Sequence, residues 1–442
     1  MSQSNISNSM KGQWEILETN IIAVFRNCYE KVSFEKLYHL CYSMTIQQCS
    51  TVIYFGLKHI VRHHINENIF PMLSKCSSKD LLKTFSITWS TYKKSVYLVS
   101  DILMYMDNNY LSIKNMDSVQ LLAYNLFKEL VLLKMKVSLS QQLLTHFEKL
   151  YAGEFIEACA VNNIKSVCEM LYDIDNTREI YKQFFNNPYV DITESYFLTI
   201  YQELLQHQNC MLYINRVNNV LDNEINHVNQ FTHHMSLFHV QRLVYKVFQL
   251  DKIDILLNME HGSLLQFYHE RNYTELSKIY NYVTLFKNKE FQSCTYNPLE
   301  IFEMHCHKML NDEISNIDLK VINFEEKMTA LENIYDFLSA FKIMTTKVFV
   351  DYNVEFLKSN IVNFVNSFGG LEECIAMFIC NNISTFDTED GQFFLDIIFI
   401  ILPHLHNKDV FNHYYQKFLS KKLLSEKYEF SQNDKLFVKK LL

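Results

Sequence analysis

Residues Ser33–Met44 read S-F-E-K-L-Y-H-L-C-Y-S-M. Stepped at 100° per residue, this segment draws a helix with two adjoining apolar faces. Leu37, Leu40, Cys41 and Met44 recur at i, i+3, i+4 and i+7, the spacing of a core stripe. Phe34, Tyr38 and Tyr42 recur at i, i+4 and i+8 and form an aromatic stripe beside it. The two span roughly 200°, wider than the apolar stripe that a surface helix hides. One face therefore suits the protein's own core and the other a partner, because aromatic ridges give large contact area at small entropic cost. The alternative is a helix buried on both sides.

Composition sets the frame around this segment. The chain has 442 residues, 48% of them apolar, enough for large cores and about three units of 100–150 residues. Seven glycines and four prolines are too few for the turns of an all-β or α/β protein of this size. The fold class expected is all-α. A net charge of −8 gives no general attraction to nucleic acid or to an anionic membrane. The first twelve residues are polar and lack the apolar core of a signal peptide. The longest apolar run, residues 393–402, is broken by Asp396 and falls short of a membrane span, so it reads as a buried helix. Eleven cysteines at helical core spacings read as free thiols in a reducing compartment.

Helical periods are legible along most of the chain. Residues 14–29 are amphipathic, with Trp14, Leu17, Ile21, Val24 and Phe25 on one stripe, behind an expected disordered tail at 1–13. A helix over 50–68 is expected to stop before Pro71. Residues 79–110 read as one extended helix, and Asp117 or Ser118 as the cap of a helix over 119–134. The pattern restarts at Gln141, with helices near 141–152, 155–171 and 192–206 and a break at Pro188. Residues 211–248 form one or two helices around a joint at His233–His234, and 264–285 follow Gly262. A third restart runs from Pro298 through 324–341 to 349–368, stopping at Gly369–Gly370. Residues 384–391 read as a loop. Three restarts of similar size fit stacked helical repeats.

Chemistry is hard to find. Adjacent His305, Cys306 and His307 point about 100° apart on a helix and do not reach one ion; His63–His64 and His233–His234 fail in the same way. His404 and His406 lack a Cys or acid at ligand spacing. No C-x-x-C pair, G-x-S-x-G elbow, phosphate-cradling glycine loop or H-E-x-x-H occurs. Cys28, Cys41, Cys159, Cys168, Cys374 and Cys380 fall in periodic apolar stretches, which favours inert core thiols over a transthiolating nucleophile. The expectation is a non-enzymatic protein with no metal and no cofactor.

Two further segments join the first. Asp101–Asp107 reads D-I-L-M-Y-M-D, and Lys408–Leu424 reads K-D-V-F-N-H-Y-Y-Q-K-F-L-S-K-K-L-L. In this order and at these separations, the three resemble the cullin family, scaffolds of multi-subunit ubiquitin ligases, and most of all its cullin-3 branch, which recruits BTB-domain proteins. Weaker matches lie at Tyr213–Ile225 and Leu264–Leu276. The resemblance implies an elongated right-handed stack of three five-helix cullin repeats at 14–150, 151–262 and 263–384. The opening of a four-helix bundle follows at 385–442, where Asp409, Phe411, Tyr414, Tyr415 and Leu419 match its first helix.

It implies a BTB-domain adaptor bound by Phe34, Tyr38 and Tyr42, with Val32 and Glu35 at the start of the same helix and Gln120 and Tyr124 on the helix that completes the surface. Gln120 stands where the family has an aromatic residue, and Tyr124 one turn on is the candidate to compensate. Leu37, Cys41, Met104 and Met106 are assigned to the core. A RING protein and a ubiquitin-like modifier belong to a region past Leu442, so they are partners only of a longer form. A short form acting as a competing decoy, a cullin using another BTB-fold adaptor, and a rod-like subunit of a vesicle-tethering complex are the alternatives. The expected location is cytoplasm, nucleus or both.

Overall fold

With so few glycines, helix ends fall to other residues. The computed structural model describes residues 3–286, 297–316, 369–382 and 401–424, with scattered positions between 329 and 366. The named elements among them are all helical, so the fold is all-α. Helix α1 (Gln3–Phe25) ends where the amides of Asn27 and Cys28 fold back onto the carbonyls of Val24 and Ala23, with Asn27 at φ 59. Helix α2 (Phe34–Ile46) ends the same way: Gln48, at φ 64, bonds to Thr45, and Cys49 to Met44. Left-handed backbone costs a non-glycine residue roughly 1–2 kcal/mol. Two satisfied terminal carbonyls offset it.

Prolines are absorbed rather than obeyed. Helix α3 (Ser50–His64) passes through a π turn at Ile65–Ile69 into α4 (Phe70–Ser74), and Pro71 lies inside it instead of ending it. Another π turn, Lys182–Asn186, precedes α11 (Asn187–His207), which carries Pro188. In both, the residue before the proline donates to the carbonyl five back, Phe70 to Ile65 and Asn187 to Lys182. The wider turn carries the ring clear of the carbonyl that it meets in an α-helix.

Other boundaries also differ from the expected ones. Helix α1 reaches back through the supposed tail to Gln3, since the stretch has no proline and half-buried Met10 packs against the core one turn before Trp14. The helix expected over 79–110 breaks at Leu103 (φ −97, ψ 9), giving α5 (Leu81–Ile102), a one-turn α6 (Met104–Met106) and a π turn at Asp107–Leu111. Conversely, α7 (Val119–Phe127), a π turn (Lys128–Leu132) and α8 (Leu133–Tyr151) run on without the expected gap before Gln141.

The chain divides into two units. The first comprises residues 1–200 and 219–247. Its core joins Leu17, Ile21 and Val24 of α1 to an aromatic stack, Trp89, Tyr92 and Phe127, with ring centroids 5.1–6.1 Å apart. Here too lie α9 (Ala158–Asp173), α10 (Glu179–Tyr181), most of α12 (Cys210–Phe231) and α13 (Met235–Val244), the last two meeting at the expected His233–His234 joint. The buried Glu224 carboxylate accepts from the hydroxyls of Tyr151 and Tyr189, and His227 lies 3.2 Å away, which compensates for its burial.

The second unit comprises residues 201–218 and 248–442. It holds α14 (Ile253–Leu257), α15 (Leu264–His269), α16 (Tyr273–Val283) and α17 (Pro298–Asn316). The helix expected over 264–285 is split by Arg271 at φ 54. Tyr213 and Tyr282 both donate to the Phe248 carbonyl. Helices α18 (Leu371–Asn382) and α19 (Lys408–Leu423) pack together, burying Phe411 and Tyr415 while Val410, Leu423 and Leu424 stay exposed. The expected loop at 384–391 and most of the expected helices over 324–341, 349–368 and 393–402 lie outside the described residues. Among the described residues no helix is long and apolar enough to cross a membrane.

Candidate protein-docking site

Helix α2 is gripped from one side. It packs against α1, α5 and α6, and these neighbours bury Leu37, Cys41 and Met44. Burial pushes the Cys41 thiol up to about 11; a contact with Thr45 and the Met106 backbone oppose the shift only weakly. The second stripe is only partly covered. Phe34 and Tyr38 are half-buried and Tyr42 is 41% exposed. At the helix start, a 3-10 turn (Tyr29–Lys31) leads into half-buried Val32 and exposed Glu35. Lys94 donates to the Tyr29 hydroxyl at 2.9 Å, anchoring that turn to α5.

Beside Tyr42 the surface continues onto α6. The Tyr105 ring meets Tyr42 edge-to-face, with centroids 4.5 Å apart, and Met104 and Ile46 are exposed. Met104 was expected in the core. The break at Leu103 resets the helical phase, so Met104 turns outward while Met106 keeps its buried place. Sequence reasoning missed Ile46, Met104 and Tyr105 as surface; the D-I-L-M-Y-M-D segment contains two of them, but its period does not reveal the break.

The last two candidates separate. Gln120 is exposed, whereas Tyr124 is 6% exposed and packs against Trp89 in a tilted contact, with ring centroids 5.1 Å apart. Tyr124 therefore belongs to the core rather than the surface: α7 lies against α3 and α5, and its apolar face closes over Trp89. Only the Tyr124 hydroxyl reaches outward, accepting from Gln120 Nε2 at 3.2 Å. The start of α7 is fixed by Ser118, which accepts from the Leu121 amide, and by Asp107, which accepts from Val119 at 2.9 Å. Burial raises the Asp107 carboxyl, partly opposed by that amide.

Among the described residues, the cysteines and histidines are held as structural groups. Burial raises the thiols of Cys168, Cys210, Cys306 and Cys380 as well, Cys210 to about 12 and Cys380 to about 11, which keeps them protonated. Cys28 and Cys159, expected in the core, are exposed: Cys28 sits in the turn closing α1 and Cys159 on the first turn of α9. His305 pairs with Asp254 at 2.7 Å, and no three His, Cys, Asp or Glu among the described residues are placed to share an ion.

Comparison with known proteins gives the arrangement a context. A family profile described as the cullin alpha solenoid domain matches residues 14–442. Over 431 residues the chain is 25% identical to Cullin-3 of Dictyostelium discoideum, covering 94% of this chain and 53% of that protein. It is 23% identical to Cullin-3B of Arabidopsis thaliana, over 94% of this chain and 56% of the relative. Against Cullin-4A of Mus musculus the identity is 20%, over 98% and 56%. The chain thus spans about half the length of the relatives it matches. With an all-α fold and a profile match from Trp14 to the last residue, it belongs to the cullin family.

Proposed function

We propose that this chain is the adaptor-binding part of a cullin-type ubiquitin ligase scaffold, with α2 as the docking helix. Phe34, Tyr38 and Tyr42 form the centre of contact, Val32 and Glu35 its leading edge and Gln120 its far rim. The partner is a BTB-domain substrate adaptor. The remaining helices form a stack of repeats (14–150, 151–262 and 263–384, then the bundle start at 385–442) that holds the substrate away from the site of ubiquitin transfer. A RING protein and a ubiquitin-like modifier take part where a longer form carries their sites. The protein acts in the cytoplasm or nucleus as a non-enzymatic subunit.

The observation behind this reading is the asymmetry of α2. One apolar stripe is buried, while the aromatic stripe beside it keeps exposed surface on a helix held by three neighbours. Preorganised aromatic anchors of this kind concentrate binding energy. The test is Tyr38→Glu. It should leave the melting curve unchanged and weaken capture of a BTB-domain protein at least about thirtyfold, the effect of losing a hot spot worth about 2 kcal/mol. Unchanged capture would overturn the assignment.

A second reading rests on Gln120 and Tyr124. A polar, tethered glutamine beside a sealed tyrosine makes the α7 side less adhesive than an aromatic residue at position 120 would, which suits a different BTB-fold adaptor, such as a small linker that carries F-box proteins. Pull-down distinguishes the two by what is retained: a BTB-domain protein with its own substrate-binding part, or a small linker with an F-box protein.

A further inference from the structure

A groove in the first unit has walls that include no residue of α2, α6 or α7. It consists of two hollows of about 210 and 280 Å³ that share Phe25, His64 and Asn68 as their common border. The smaller hollow lies between α1 and α3, with Glu18 and Arg26 on one wall and His59 and His63 on the other. The larger is floored by the Tyr92 ring and flanked by Ile69 and Ile87. Met72 and Ile87, 48% and 57% exposed, form an apolar lip. Each hollow is below the roughly 300–1,000 Å³ of small-molecule sites. Two hollows side by side instead fit successive side chains of an extended peptide.

Three polar groups indicate what such a segment carries. Thr88 lines the larger hollow, is 7% exposed, and its Oγ1 has no hydrogen-bond partner. A buried hydroxyl left unpaired costs about 1–3 kcal/mol, so a ligand polar group that the Thr88 side chain turns to meet recovers part of that. Nδ1 of His64 accepts from the Asn68 amide at 3.2 Å, which puts the ring proton on Nε2 and makes it a donor. Burial, then Arg26 and His63, hold this imidazole neutral down to about 4. Among the described residues the Arg26 side chain has neither a hydrogen-bond nor an ion-pair partner. Glu18 is the one acidic side chain of the lining, and it lies on α1 eight residues before Arg26, which opens the turn just past that helix, about 12 Å away along the axis. The positive end of the groove is therefore the Arg26 end.

We propose that this groove binds a short extended segment of a partner protein in which a carboxylate side chain neighbours a bulky apolar one. The carboxylate sits at Arg26 between α1 and the α3 histidines. The apolar side chain enters the larger hollow over Tyr92, and a peptide polar group bonds to the Thr88 hydroxyl.

The probe is an acetylated, amidated, fluorescein-labelled peptide, Gly-Ser-Glu-Phe-Ser-Gly, titrated into the full chain by fluorescence anisotropy at low salt. Saturable binding is expected, weakened about tenfold by Arg26→Glu, which reverses the exposed charge, and tightened about threefold by Glu18→Gln, which removes one negative charge from the half-buried lining. Thr88→Val should weaken it about threefold. Replacing the peptide's Glu with Lys should abolish it. Tyr38→Glu should leave it intact, so its outcome separates this groove from adaptor docking on α2. Absence of saturable binding, equal binding of the Glu and Lys peptides, indifference to Arg26→Glu, or loss of binding in Tyr38→Glu would each overturn the proposal.

Discussion

Two aromatic clusters of the first unit carry the same sequence signature and end in opposite states. On α2, Phe34, Tyr38 and Tyr42 stand at four-residue spacing with surface to spare. On α5 and α7, Trp89, Tyr92, Tyr124 and Phe127 also stand at helical spacing, and all are 6% exposed or less. The difference comes from the neighbours. α7 closes over α5, so both helices spend their aromatic faces on each other. α2 instead buries its Leu37–Cys41–Met44 stripe, and among the described residues the aromatic face beside it meets the short α6, through Tyr105 on Tyr42, and keeps exposed surface. An aromatic stripe is thus core or docking surface according to what lies across from it, which its own spacing does not encode.

The sharpest way to break this contrast is from the sealed side. Trp89→Ala removes the ring on which Tyr92, Tyr124 and Phe127 converge, and should destabilise the fold by about 3–5 kcal/mol. Urea denaturation at constant m measures it; a loss under 1 kcal/mol would mean that the stack is not a core. Matched substitutions come next. Tyr124→Ala should cost roughly 3 kcal/mol of stability, whereas Tyr42→Ala should cost under about 1 kcal/mol, as for exposed positions. Equal costs would erase the distinction.

Smaller changes sharpen the boundary between the clusters. Ser118→Ala removes the α7 cap and should cost about 1 kcal/mol, read as a shift in the denaturation midpoint. Tyr124→Phe keeps the packing but frees Gln120, and should cost about 0.5–1.5 kcal/mol. The same variant shows whether the tether matters to docking: if Gln120 shapes partner choice, affinity changes for one BTB-fold adaptor more than for another.

How much of this could be read in advance varies by level. The all-α class followed from scarce glycine and proline and from long apolar periods. The core face of α2 and a cap at Asp117 or Ser118, of which the structure uses Ser118, were readable because each depends on residues within one or two turns. Boundaries were less so. Pro71 and Pro188 ordinarily end helices, but a π turn before each lets the chain run on, a device with no residue signature. Asn27, Gln48 and Arg271 take left-handed positions usually given to glycine, so the turns at those points carried no glycine marker. At the candidate site, the aromatic stripe of Phe34, Tyr38 and Tyr42 was legible from periodicity, but Tyr124 lies in the core and Met104 and Tyr105 were missed as surface. Tyr124 depends on a contact distant in sequence, with Trp89, while Met104 and Tyr105 depend on a break at the adjacent Leu103 that has no residue signature.

The central claim is that the α2 ridge is solvent-facing until a partner covers it. Hydroxyl-radical footprinting of the chain alone and in the presence of a BTB-domain adaptor tests this residue by residue. Phe34, Tyr38 and Tyr42 should be labelled in the free chain and protected in the complex, with Tyr92 and Tyr124 unlabelled in both. Labelling of the three ridge residues that is absent from the start, or that stays unchanged when the adaptor binds, would contradict it.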